Sequence, residues 1–249
     1  MPDALRRVES VRQRARSCYR PCMRKTGLLG GSFNPAHRAH RRLSLQAIEQ
    51  LALEEVWWLV SPGNPLKAKR AMAPLQARQA AAMRVARRSR IRVTAIERDL
   101  GTVYTVETLR ALIRRYPRRR FIWLMGADNL AQFHKWKDWR KIATLVPIAV
   151  VARPGYDGAA HAARAMGWLR RFVRPADQIR HWTRWRPPAI VLLKSPLDQT
   201  CATAIRAADP DWHQRPGKSF NPEALRDGVT RRPLKRRRHF ARTSTRSED

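Results

Sequence analysis

Acidic residues are scarce in this chain. Its 249 residues hold 19 Asp and Glu against 52 Lys and Arg, a formal charge of +33, and such a field attracts anions: nucleotides, nucleic acid or acidic membrane surfaces. The basic residues are spread through helical segments as well as the ends, so a general preference for arginine explains the charge at least as well as a nucleic-acid partner does. Cysteine is sparse too. Three of them, an odd set without a dense framework, argue against a disulfide scaffold and fit a reducing compartment, with the cytoplasm as the expected location. No apolar run approaches the roughly 20 residues needed to span a bilayer, so a soluble protein without a membrane partner is expected. The first 22 residues lack the apolar stretch of a secretory signal, and Asp3 and Glu9 interrupt an organelle-targeting pattern. Translation from Met1 and from Met23 are both compatible with the sequence, and no internal repeat is present.

The length suits one substantial domain with extensions. Residues 1–22 read as a basic N-terminal extension, 23–209 as the domain, and 210–249 as a basic tail. Beyond Ala208 the runs Arg215-Pro216-Gly217, Arg231-Arg232-Pro233 and Lys235-Arg236-Arg237-Arg238 carry too little apolar content to offset their ordering entropy. A solvated, disordered tail is expected there, with a nucleic-acid contact as the alternative. Within the domain, apolar runs at Thr26–Leu29, Val56–Val60, Ile91–Ile96, Phe121–Met125 and Val146–Val151 read as strands. Helices are expected at Leu75–Arg87 and at Thr105–Tyr116, the latter ended by Pro117. Buried strands alternating with helices indicate an α/β fold with a doubly wound, mainly parallel sheet.

One segment concentrates the chemistry: Gly30-Gly31-Ser32-Phe33-Asn34-Pro35-Ala36-His37-Arg38-Ala39-His40. A strand, a glycine turn and a helix N-terminus together bind phosphate, because backbone can approach the anion and the first helical N–H groups point at it. Gly30 and Gly31 are expected to supply backbone freedom for a sharp exit, Asn34 the helix cap and Pro35 the first helical position. His37 and His40, three apart, then share one helix face and can donate to phosphate oxygens. Cys18 and Cys22 followed by His37 and His40 suggest a zinc site only superficially, since the gap to the first histidine is too long for a finger. Lys67 and Asp128 follow strands, at the sheet edge where open α/β sheets bind ligands.

Four further segments occur in order with this one: Ser61–Lys67, Tyr104–Leu109, Met125–Leu130 and Cys201–Arg206. Together they cover Thr26 to Ala208, and the set resembles the bacterial nicotinate-nucleotide adenylyltransferase family of the nucleotidyltransferase superfamily, a Rossmann-like fold. The resemblance implies transfer of AMP from ATP to nicotinate mononucleotide in NAD biosynthesis, with ATP and the mononucleotide as partners and Mg²⁺ held mainly through substrate phosphates, without a protein metal cluster. It implies His40 and His37 as catalytic residues, and Gly30, Gly31, Ser32, Phe33, Lys67, Thr203 and Arg206 on ATP and phosphate. Gly126, Asp128, Thr105 and Trp136 fall to ribose and nicotinate, with core packing the competing role for Trp136 and Trp139 and helix capping for Asp128. Two positions depart from the family pattern: Ala39 replaces a glycine, and Cys201 replaces a serine, a thiol for a stronger hydroxyl donor. The competing functions are another adenylyl- or cytidylyltransferase of the superfamily and a non-catalytic nucleic-acid-binding protein.

Overall fold

The computed structural model describes residues 23–63, 72–152, 162–194, 200–214 and 226–233. Six strands form one parallel sheet in the order β3-β2-β1-β4-β5-β6: β1 (Arg24–Gly31), β2 (Glu55–Val60), β3 (Ile91–Thr94), β4 (Arg119–Gly126), β5 (Ile148–Ala152) and β6 (Ile190–Lys194). The helices are α1 (Arg38–Gln50), α2 (Leu75–Ala86), α3 (Ile96–Leu100), α4 (Thr105–Arg115), α5 (Ala127–Phe133), α6 (Trp139–Leu145), α7 (Met166–Leu169) and α8 (Ala202–Ala208), with a 3-10 segment at Ala176–Arg184. The alternation of side chains along each strand divides the core in two. Leu28, Trp57, Leu59 and Trp123 enter one apolar layer, while Leu29, Val56, Trp58 and Val60 enter the other. Strand order reverses between β1 and β4, which places a crevice beyond their carboxyl ends.

At the opposite end of these strands, Glu55 accepts from Trp57 Nε1 at 2.8 Å and from Arg119 Nη1 at 2.7 Å, and Arg119 also donates to Thr26 Oγ1. Burial pushes the Glu55 carboxyl up, but the Trp57 and Arg119 contacts outweigh it and hold the group below its usual range. The starts of β1, β2 and β4 are thereby pinned, which leaves their carboxyl ends to carry the loops.

Several boundaries differ from the sequence reading. Strand β3 stops at Thr94, and Ile96 begins a short helix instead of ending the strand. Helix α1 starts at Arg38, with His37 as its cap, so Asn34 and Pro35 do not open it. Part of the expected tail is also packed. Asp227, 3% exposed, accepts from Thr94 Oγ1, the Ala95 N–H and the Val229 and Thr230 N–H groups at 2.8–2.9 Å. The neighbouring Gly228 N–H donates to Val93 O at 2.8 Å, and a Cβ there would lie 2.6 Å from that oxygen. A solvated tail therefore does not describe Arg226–Pro233, because one carboxylate with several donors anchors the segment to edge strand β3. The extension 1–22, with Cys18 and Cys22, and the basic run 235–238 lie outside the described residues.

Candidate active site

The β1–α1 turn sits at the carboxyl end of the central strand and is fastened from several sides. The Ser61 N–H, just past β2, donates to Gly31 O at 3.0 Å. Phe33, 2% exposed, stacks on Trp58 with ring centroids 5.0 Å apart and lies 4.9 Å from the His40 ring. Neither Gly30 nor Gly31 adopts a positive φ; the left-handed residue of this turn is Phe33, at +45°. Gly30 serves packing instead, because a Cβ there would meet the Trp123 ring at 2.6 Å. The expectation of glycine flexibility is thus replaced by a close approach at Gly30 and a held strain at Phe33.

The His37 and His40 ring centroids are 3.9 Å apart at the N-terminus of α1, whose first turn carries no acidic residue. The His37 N–H donates to His40 Nδ1 at 3.3 Å. With Nδ1 accepting, neutral His40 keeps its proton on Nε2, which becomes a donor alongside the positive end of the helix. Trp58 Nε1 donates to Ser44 Oγ at 2.7 Å, and Ser44 Oγ donates to His40 O at 2.9 Å, which locks the first turn of α1 to β2. Ala39, in that turn, is buried.

Helix α8 brings the Cys201–Arg206 segment to the same turn. Arg206 Nη1 donates to Asn34 O at 2.6 Å, and its Nη2 donates to Thr203 Oγ1 at 3.3 Å. Asn34 is occupied elsewhere as well, since its Oδ1 accepts from the Ala73 N–H; that is why it does not cap α1. Cys201 caps α8, its Sγ accepting from the Ala204 N–H at 3.4 Å. The thiol therefore serves as an acceptor, where its weakness as a donor is not called upon.

On the other side of the crevice, Thr105 is the first residue of α4 and is half-buried. Trp136 meets Phe133 at 5.4 Å and Trp123 at 6.1 Å, both edge-on, and is only partly buried. Lys137 ties the two segments, with its Nζ 4.1 Å from the Tyr104 ring centroid and 3.1 Å from Glu107 Oε1. Trp139 instead runs into the apolar layer through Phe133 and Trp168. Asp128 is exposed in the first turn of α5; the helix cap is Gly126, where a Cβ would collide with the Asp128 carboxylate. Lys67 lies outside the described residues.

Two side chains around this crevice carry no signal in the sequence. Arg78 of α2 is buried, and Glu97 of α3, also buried, accepts from Thr108 Oγ1 at 3.3 Å. Burial pushes the Glu97 carboxyl up to about 7. Each looks like one more charged residue on a helix until distant segments close over it. Among the described residues, no three His, Cys, Asp or Glu side chains converge as a metal site.

A parallel sheet with a histidine-bearing helix N-terminus at its switch point and an arginine tied to the adjoining turn defines a nucleotide-binding protein of the nucleotidyltransferase class. The cytidylyltransferase-like family model matches residues 28–211. A protein of Erythrobacter litoralis named "Probable nicotinate-nucleotide adenylyltransferase" is 59% identical over 210 residues, 84% of this chain and 94% of that protein. One of the same name from a Bradyrhizobium strain is 48% identical over 189 residues, 76% of this chain and 98% of that one. The fold also matches the solved structure of Plasmodium falciparum nicotinic acid mononucleotide adenylyltransferase complexed with NaAD, with a TM-score of 0.53 at 16% identity over 74% of this chain and 83% of that one. The chain belongs to the nicotinate-nucleotide adenylyltransferase family.

Proposed function

We propose that the crevice beyond β1 and β4 performs adenylyl transfer with the residues assembled around it. As a member of its family the chain is a nucleotidyltransferase of NAD biosynthesis: AMP passes from ATP to nicotinate mononucleotide, and nicotinate adenine dinucleotide and pyrophosphate are released. The mononucleotide phosphate is itself the nucleophile, so the protein has to align two anions and neutralise charge as it builds at the α-phosphorus. The observation that carries this reading is the pair of histidines with rings in contact at an acid-free helix N-terminus, joined through Asn34 to Arg206.

His40 Nε2–H donates to the reacting phosphate, and His37 holds the ATP phosphates beside it. Gly30, Gly31, Ser32 and Phe33 present backbone to the same anions, and Thr203 and Arg206 bind phosphate from the opposite wall. Lys67 follows the polyphosphate. Asp128, with Gly126 beneath it, accepts from a ribose hydroxyl, while Thr105 and Trp136 receive the nicotinate ring and its carboxylate. The groups nearest the phosphates are imidazoles, a hydroxyl and a guanidinium, a donor set that suits an anion. A divalent ion, Mg²⁺ in this reading, would therefore ride on the substrate oxygens and supply charge neutralisation there. No helix among the described residues is long and apolar enough to cross a membrane, and the reaction is assigned to the cytoplasm.

The test is a turnover assay with ATP, Mg²⁺ and either nicotinate mononucleotide or its amide counterpart. Dinucleotide and pyrophosphate should form in equal amounts, faster with the acid. A folded sample that yields neither product would remove the activity; equal rates with both substrates would remove only the ring-recognition roles.

A further inference from the structure

Arg78 is 1% exposed, and its partners among the described residues are three main-chain carbonyls, none of them a carboxylate. Its Nη1 donates to Ser32 O and to Ser61 O, each at 2.7 Å, and its Nε donates to Ala73 O at 2.8 Å. Burial pulls its pKa down to about 10, so the group still carries its charge near neutrality. A buried cation without a counter-charge is costly, and an apolar side chain would fill the space more cheaply. Its position suggests what offsets that cost. The three carbonyls come from the β1–α1 turn, the residue just past β2 and the residue before the cap of α2, which are the segments bordering the phosphate end of the crevice.

The contact to Ser32 has a directional consequence. The Ser32–Phe33 peptide is planar and trans, so when its carbonyl faces Arg78 its N–H faces the opposite way. Phe33 then holds φ at +45°, a left-handed conformation that is strained for a non-glycine residue. Turns of this type gather consecutive N–H groups into an anion-binding concavity. Ser61 and Ala73 each precede a proline, so those peptides have no N–H and their carbonyls alone are fixed. A lysine could not replace the arginine, because its ammonium is a single point on a flexible stem, whereas the guanidinium fork spans three carbonyls.

We propose that Arg78 is a positioning residue for adenylyl transfer: its guanidinium fixes the Ser32–Phe33 peptide and the adjoining loop ends, and so sets the phosphate-binding turn against His40. The proposal rests on the activity assigned above and adds a residue that touches neither substrate. It is tested by steady-state kinetics and ATP titration calorimetry on the parent, on Arg78→Lys, and on Arg78→Ala with and without methylguanidinium.

Arg78→Lys, folded by near-ultraviolet circular dichroism, should lose about a hundredfold in kcat while KM for nicotinate mononucleotide moves less than about threefold. ATP binding without the second substrate should weaken in the same variant. Methylguanidinium, but not methylammonium, should restore about a tenth of the parental kcat to Arg78→Ala. A folded Arg78→Lys with kcat within about threefold of the parent, or a loss that lies in KM for the mononucleotide, would overturn the proposal. So would a loss that merely tracks the unfolded fraction, including variants that do not fold at all. A parent that binds ATP but forms no dinucleotide would instead strike the assigned activity, and the ATP titration would still report on Arg78.

Discussion

The two ends of the crevice are built differently. At the phosphate end, one turn is held by Arg78, Arg206, Ser61 and the Phe33–Trp58 stack, all of them short contacts to backbone or rings. At the end proposed above for the pyridine ring, Thr105 and Trp136 stand on separate elements, and their bridge is the surface cation Lys137 between Tyr104 and Glu107. The contrast matches the chemistry. Charge develops at the phosphorus and has to be met by donors already in place, whereas the ring only has to be recognised. Rigidity is invested where the transition state differs most from the ground state.

That comparison can be broken at its rigid end first. His40→Ala should lower kcat by about a hundredfold to a thousandfold with a much smaller change in substrate binding, since its contact strengthens as charge builds. A loss confined to KM would make His40 a ground-state ligand and erase the difference between the two ends. Next, Asp227→Ala should destabilise the fold by about 3 kcal/mol, measured by denaturant titration, because it strands buried donors on Thr94 and Ala95 beside α3. An unchanged midpoint would show that the C-terminal segment is not part of the domain.

Glu97 lies between the two ends and responds to pH. Its carboxyl titrates near 7 in the folded chain, against about 4.3 in an unfolded one. Between those values the native state keeps a proton that the unfolded chain has released, so stability is fully present below the window and falls as pH rises through it. The difference is on the order of 3 kcal/mol. Comparison of denaturant midpoints at pH 5 and pH 8 should show Glu97→Gln losing less stability than the parent; parallel losses would contradict the assignment. The smallest effect belongs to the pyridine end: Thr105→Ala should narrow the preference for the acid over the amide by about tenfold, near the worth of one hydrogen bond to a charged group, with little change in kcat for the acid. A fall in kcat matching that of His40→Ala would mean the two ends are not distinct.

Much of this frame was readable in advance, and for local reasons. The continuous apolar run of β2 can only be a strand buried on both faces, and the five motifs occur in an order that the parallel sheet folds to one edge. What escaped was tertiary. Asn34-Pro35 has the chemistry of a helix start, yet Arg206 and Ala73 take the groups of Asn34, and the helix begins at Arg38 with His37 as its cap. Gly30-Gly31 suggests flexibility, but it is the Trp123 ring that demands glycine at 30. Arg78 is one basic residue among 52, and nothing in its neighbours says that three distant carbonyls will turn towards it. Asp227 is equally silent, since a carboxylate in a basic tail reads as solvated until Thr94 and Ala95 are found against it.

The central claim is that the rigid end of the crevice transfers the α-phosphoryl group of ATP, with its adenosine, to the mononucleotide. ATP labelled at the α-phosphorus, incubated with nicotinate mononucleotide and the purified protein, tests it directly. The account predicts that the label appears in the dinucleotide in step with unlabelled pyrophosphate, and that Arg78→Lys and His40→Ala slow both together. Label recovered as free AMP, or left in ATP by a folded protein that binds both substrates, would contradict it.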